Sequence, residues 1–362
     1  MKSLSGVWAR APRSPKAAQR HSSLAANASG VCDPDVFSNQ SVSILDCIDS
    51  TFHYSTKPAK KKVTTRASMR YNQIDMKNAR EEDSMMLGMS TAAFYGRWET
   101  EEAAEQIARL PLSCAEVFLQ TFSEYEVSFA HEVRARLGGM PCTSVHPLGT
   151  HFENGMFSRS PRQRRDAMDI FRRVLDAGAA LGAKTYVYHG RYSPREGAHP
   201  WDAQMNAQAL GPMIEEAAAR GMAIGWENVS WCQLRDERCV REARDLLPGV
   251  RFTLDIKQAM RAGAQPLALA RAMGGALCNV HVCDWDENGR LCLPGEGTFD
   301  FGALFALLGE TGYRGAVILE PYLGLISGEE ALLRSIAFLR GAMERAAQKK
   351  SPVSIDERAL PE

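Results

Sequence analysis

The sequence predicts an eight-stranded parallel α/β barrel, with strands and helices alternating around one closed sheet. Eight short apolar, strand-like runs recur from residue 86 onward, and stretches of helical periodicity rich in Ala, Leu, Glu and Arg separate them. The series spans about 260 residues, the usual size of such a barrel. A doubly wound open sheet is the competing architecture, but its glycine fingerprint is missing from the first strand–helix turn.

Taken in order, the predicted strands are "MLGMSTAAF" (86–94), "CAEVFLQ" (114–120), "PCTSVHPLG" (141–149), "KTYVYHG" (184–190), "MAIGWENV" (222–229), "VRFTLDI" (250–256), "LCNVHVC" (277–283) and "GAVILEP" (315–321). Each is bounded by polar or glycine-containing segments, and each is too short and too continuously apolar to be a surface helix. The clearest helix lies between the third and fourth strands. There Ser160 and Pro161 supply an N-cap and a first turn, and Gly182 supplies the stop. A second closes at Gly221, and "SGEEALLRSIAFLRGAMERAA" closes the series.

Residues 1–85 read differently. They carry 13 Lys and Arg against 5 Asp and Glu in the first 80 positions, with Ser and Lys clusters and no sustained periodicity, so they are expected to be a disordered basic extension. The first 32 residues contain no acid and resemble an organellar transit peptide. Nothing later in the chain requires an organelle, so a dispensable leader ahead of Met85 or Met86 is the expectation. The organisation is therefore extension 1–85, barrel 86–347 and tail 348–362. The chain's net charge is zero, but the residues after 80 hold 30 basic against 38 acidic side chains, a balance that gives no general attraction to nucleic acid. No apolar run approaches a membrane span, and there is no secretory apolar stretch, so a cytoplasmic protein with reduced, mostly buried cysteines is expected. A homo-oligomer remains open.

In a barrel of this kind, chemistry collects at the C-terminal ends of the strands. Polar side chains there are few. His146 ends strand 3, His189 strand 4, Glu227 strand 5, Asp255 strand 6, His281 strand 7 with Asp284 just beyond, and Glu320 strand 8. Singly, each has an ordinary explanation as a cap or a hydrogen-bonded core residue. Jointly, four consecutive strands end in metal-competent side chains within apolar runs ("IGWEN", "FTLDI", "NVHVC", "VILEP"). Three carboxylates buried together need a counter-charge, which a divalent cation supplies. Glu227, Asp255, His281 and Glu320 suit Mn, Mg, Co or Fe(II), and zinc less well for want of thiolate.

The order Glu, Asp, His, Glu, with "HVCDWDENGRLCLPGEGTFDF" (281–301) and "ILEPY" (318–322), resembles the xylose isomerase-like TIM barrels over roughly residues 86–345. That family includes sugar and sugar-phosphate isomerases and epimerases, inosose dehydratase, hydroxypyruvate isomerase and the endonuclease IV group. The resemblance implies that the four residues bind one metal ion. It also implies that Glu227 and Glu320 act as the acid/base pair of an isomerase or epimerase working through an ene-diolate on a small carbohydrate, sugar phosphate or polyol. A lyase that dehydrates a keto-polyol and an abasic-site endonuclease are the alternatives.

His146 and His189 are expected to line the pocket and contact substrate hydroxyls, with Trp226 as an apolar wall, Gln258 as a hydroxyl partner and Arg290 as a contact for an anionic or hydroxylated substrate. Asp284 is expected to orient a metal ligand or a water. Two departures from the family stand out. Strand 6 reads Asp255, Ile256, Lys257, Gln258 where many relatives carry Asp-x-x-His, and Gly289 and Leu291 occupy the places of an Asp-x-His pair used in the endonuclease branch. "WDENGR" predicts a turn at Asn288–Gly289, and "PGEG" a rim loop rather than a phosphate cradle.

Overall fold

The computed structural model describes residues 84–193 and 200–348. The extension expected over 1–85 and the tail expected over 348–362 therefore lie, but for Ser84, Met85 and Gln348, outside the described residues. Each of the eight predicted runs contains a strand: β1 Met86–Ser90, β2 Cys114–Leu119, β3 Cys142–Pro147, β4 Thr185–Tyr188, β5 Ala223–Glu227, β6 Arg251–Asp255, β7 Leu277–Val282 and β8 Ala316–Leu319. Neighbouring strands all pair in parallel, and β1 pairs with both β2 and β8, so the sheet closes into a (β/α)8 TIM barrel.

The predicted runs overshoot where a side chain diverts the backbone. Residues 91–94 form a turn of 3-10 helix instead of continuing β1, because the Ser90 hydroxyl accepts a hydrogen bond from the Ala92 amide and caps the turn. The helix Pro161–Leu181 has the boundaries its sequence predicts. Proline starts it, and Gly182, with φ of 90°, ends it in the left-handed region that favours glycine. Its buried stripe of Ala167, Phe171, Val174, Leu175, Gly178 and Leu181 packs against the sheet, as an amphipathic helix requires. Asp202 caps the next helix, Ala203–Ala218, by accepting from the Met205 amide at 2.9 Å.

Strand residues alternate between the barrel interior and the helix layer. Below the mouth the interior is tightly filled: a Cβ added at Gly225 would lie 2.6 Å from Thr253 Oγ1 and 2.8 Å from Thr185 Cγ2. The packed floor pushes any open chemistry upward to the C-terminal ends. The seven cysteines among the described residues are free thiols, five of them buried. No helix among the described residues is long and apolar enough to cross a membrane.

Candidate functional site

Register brings the four predicted ligands together. Asp255 of β6 pairs with His281 of β7, and His281 with Ile318 of β8. Glu320 follows one residue beyond β8, its amide donating to the Val282 carbonyl at 3.0 Å. Alternation turns Glu227, Asp255, His281 and Glu320 to the same interior side, and each offers an atom within 4.8 Å of the others. His281 Nδ1 lies 3.1 Å from Glu227 Oε1, 3.4 Å from Glu320 Oε2 and 4.0 Å from Asp255 Oδ2. Asp255 is held from behind: its Oδ1 accepts from the Gln258 amide at 2.9 Å, and Asn228 bonds its backbone on both sides.

His146 and His189 stand beside this group. Their Nε2 atoms are 2.8 Å apart, and His189 Nε2 is 3.6 Å from Glu227 Oε2. His146 Nδ1 lies 3.5 Å from Glu320 Oε1. Both histidines are buried, so the sequence-predicted pocket histidines do reach the barrel mouth.

Two charged residues that the sequence reading passed over complete the site. Glu116, in the middle of β2, is fully buried, and its Oε2 accepts from Ser144 at 2.7 Å, Asn279 at 2.9 Å and His281 Nε2 at 3.0 Å. An acid inside the apolar run "CAEVFLQ" was the available signal. Lys257, from the helical turn Ile256–Arg261 after β6, is 4% exposed and ion-paired to both Asp255 Oδ2 and Glu320 Oε2. Such burial of a lysine almost always means pairing.

The cluster's electrostatics follow from burial opposed by neighbours. Burial would raise the Glu227 carboxyl, but the His281, His146 and His189 imidazoles outweigh it and bring the pKa to about 2. The same opposition, with His281 and His146 as the cationic partners, holds Glu116 well below the usual carboxylate range. Glu320 is also held low against burial, chiefly by Lys257 and His281. Asp255 goes the other way, to about 6, because burial and the Glu227 and Glu320 charges exceed the help of Lys257. His146 is pushed up to about 10 against its burial by Glu116 and Glu320, and His281 well above its ordinary value, with Glu116 and Glu320 the leading charges. Four buried carboxylates thus lie against one ammonium and the rings of His146, His189 and His281.

The residues present fit a divalent ion. Three carboxylate oxygens and an imidazole nitrogen converge within ligating range, and neighbouring polar atoms, Glu116 Oε1, His146 Nδ1 and His189 Nδ1, are buried without hydrogen-bond partners.

Other sequence-predicted residues fall elsewhere. Trp226, expected to wall the pocket, is on the opposite face of β5 from Glu227. It has no exposed surface, and it stacks on Trp201 with ring centroids 5.6 Å apart. Truncating it, Trp226→Ala, should cost about 3–5 kcal/mol of stability in urea denaturation while leaving bound metal unchanged, as removal of a large core side chain does. A loss of metal without a loss of stability would restore it to the pocket.

Arg290, expected at the substrate, is exposed near the tip of a short hairpin, Asp284–Trp285 with Leu291–Cys292, and pairs with Asp286 at 2.7 Å. Gly289, with φ of 75°, makes the predicted turn there. Asp284, expected to orient a ligand or a water, braces the rim loop. Its Oδ2 accepts from the Gly295 and Gly297 amides at 3.2 Å, and its Oδ1 from Trp285 at 2.8 Å and Phe299 at 3.1 Å. Gly297 permits this approach, since a Cβ would lie 2.3 Å from Asp284 Oδ1. Gln258 is buried near the mouth, its Oε1 accepting from the Ser230 hydroxyl at 2.7 Å and amide at 3.2 Å.

Comparison with known proteins bears on this geometry. A D-tagatose 3-epimerase-like protein superposes with a TM-score of 0.61 at 19% identity, covering 74% of this chain and 100% of its own. A D-psicose 3-epimerase superposes with a TM-score of 0.58 at 18% identity, covering 73% and 99%. At these identities they show the fold. A 3-dehydroshikimate dehydratase of Pseudomonas aeruginosa is 26% identical over 181 residues, 43% of this chain, and the match spans only 27% of that enzyme's length. The family model described as xylose isomerase-like TIM barrel matches residues 104–342, a span that contains Glu116, His146, His189, Lys257 and all four candidate ligands. With seven of the eight barrel strands, β2 to β8, and the buried carboxylate–histidine mouth inside that span, the chain belongs to the xylose isomerase-like TIM barrel family.

Proposed function

We propose that the protein is a divalent-metal-dependent isomerase or epimerase of a small sugar, sugar phosphate or polyol. One observation carries the reading: Glu227, Asp255, His281 and Glu320 converge at the C-terminal mouth within 4.8 Å of one another. When bound there, a divalent ion supplies positive charge that offsets the oxyanion formed when a C–H beside a ketone loses its proton. Glu227 and Glu320 are the acid and base. Both face the same His281 nitrogen, at 3.1 and 3.4 Å. The one that enters ionised takes a proton from a substrate carbon, and the one that enters protonated gives its proton to a neighbouring carbon or the opposite face, so the pair ends the turnover with its proton exchanged between them. His146 and His189 sit close enough to these acids to hold substrate hydroxyls in register with them. The epimerase neighbours support the reaction class.

The test is direct. The purified full-length protein should hold about one divalent ion per chain by elemental analysis, and in D2O should exchange deuterium into the carbon beside the carbonyl of one member of a ketose panel containing D-fructose, D-tagatose and D-psicose. Exchange unaffected by chelation would overturn the metal dependence, and a panel without any exchange would remove the ketose reading. The match to the Pseudomonas dehydratase supports a second reading, elimination of a hydroxyl after the same proton abstraction. Product analysis separates them, because elimination releases one water and leaves a dehydrated ketone.

A further inference from the structure

Lys257 occupies a position that the four-ligand reading does not use. Its ammonium sits between Asp255 Oδ2 and Glu320 Oε2, the same two carboxylate groups that would ligate a cation, and is buried with them. One cation already satisfies half of the ligand set. The ammonium holds Asp255 Oδ2 and Glu320 Oε2, the oxygens that also face His281 Nδ1. A divalent ion seated among those three atoms would meet it at contact distance, and their repulsion sets ammonium and ion in competition there. The side chain also has somewhere to go. Its Nζ lies 5.9 Å from the centroid of Tyr322, a partly exposed ring at the mouth that already receives the Arg261 guanidinium at 5.1 Å from its centroid.

We propose that Lys257 is a resident counter-ion that competes with the divalent metal for Asp255 and Glu320, and is displaced toward Tyr322 when the metal binds. This rests on the metal reading above. Its consequence is a site that keeps its carboxylates neutralised and folded without metal, at the cost of affinity for metal. The displaced ammonium then stands at the mouth as a donor to a substrate oxygen.

The experiment uses metal-stripped full-length protein titrated with Mn2+ by calorimetry, in wild type, Lys257→Met and Lys257→Gln. Both variants should bind Mn2+ about tenfold more tightly or better, the gain expected when a competing charge is removed from a buried site. Their melting temperatures without metal should fall below that of wild type, and Mn2+ should raise them by more than it raises wild type. Equal or weaker binding in the variants, with wild type still binding, overturns the role of Lys257 and leaves the metal reading standing. No binding in any of the three defeats both. If neither variant folds, acetic anhydride labelling of wild type decides. Mn2+ should increase modification of Lys257 relative to the exposed Lys184, and unchanged labelling overturns the proposal.

Discussion

Replacing Glu320 by glutamine is expected to lower solvent-deuterium exchange into a ketose by about 10³-fold, and Glu227→Gln by a comparable factor, the scale at which a positioned acid or base contributes. Glutamine keeps the volume and can still accept a hydrogen bond, but it cannot carry the proton. Each glutamate is also a candidate ligand, so loss of exchange alone would not separate the two roles. Asp255→Asn does. Asp255 is anchored by the Gln258 amide and by Asn228, and it has no proton-transfer part in the proposed reaction. Its amide variant should bind metal weakly and recover exchange in excess Mn2+, whereas the two glutamate variants should remain inactive with metal saturating. If excess Mn2+ rescues Glu227→Gln and Glu320→Gln equally well, they are ligands only and the acid/base assignment fails.

The strand ends were legible in sequence because barrels confine polar side chains to few places. A Glu, Asp or His closing an apolar run of five residues has little to do except face the mouth, and the parallel register then assembles Glu227, Asp255, His281 and Glu320 without further information. Period-2 alternation was equally available for Trp226, whose neighbour Glu227 points inward. The pocket role expected of it conflicted with that alternation, and packing on Trp201 in the helix layer took it instead. Loop side chains were the harder case. Asp284 and Arg290 follow a strand that carries a candidate ligand, but nothing in their spacing reveals that one turns back to four loop amides and the other out to Asp286. Lys257 stood at an unspecified position of the Asp-x-x-His pattern, where only Gln258 departs from the family. Its burial between two acids depends on the tight helical turn that begins at Asp255, a tertiary fact.

Glu116 is the residue whose omission matters most for stability, and its removal should be the most damaging substitution in the barrel interior. It lies in the middle of its strand, where an interior position is ordinarily apolar, so a search confined to strand ends misses it. Its carboxylate takes hydrogen bonds from Ser144, Asn279 and His281 at once, and it supplies the negative charge behind the His281 imidazole while Nδ1 of that ring faces the three candidate carboxylate ligands. A histidine ligand held by a carboxylate on its far nitrogen is oriented and made more basic, and loss of such a partner typically weakens metal binding by about 10–100-fold. Glu116→Ala should therefore lose about 3–5 kcal/mol in chemical denaturation, because the buried Ser144, Asn279 and His281 donors lose the one oxygen they share. Mn2+ affinity should fall by about 10–100-fold even where the protein remains folded. Glu116→Gln should lose less on both counts, since a carbonyl oxygen in the place of Oε2 can still accept from Ser144, Asn279 and His281 while the amide nitrogen takes the place of Oε1, 3.5 Å from His146 Nδ1. A Glu116→Ala protein that keeps both its stability and its Mn2+ affinity would show that His281 is positioned by the strand alone, and the interior acid would then have no part in the site.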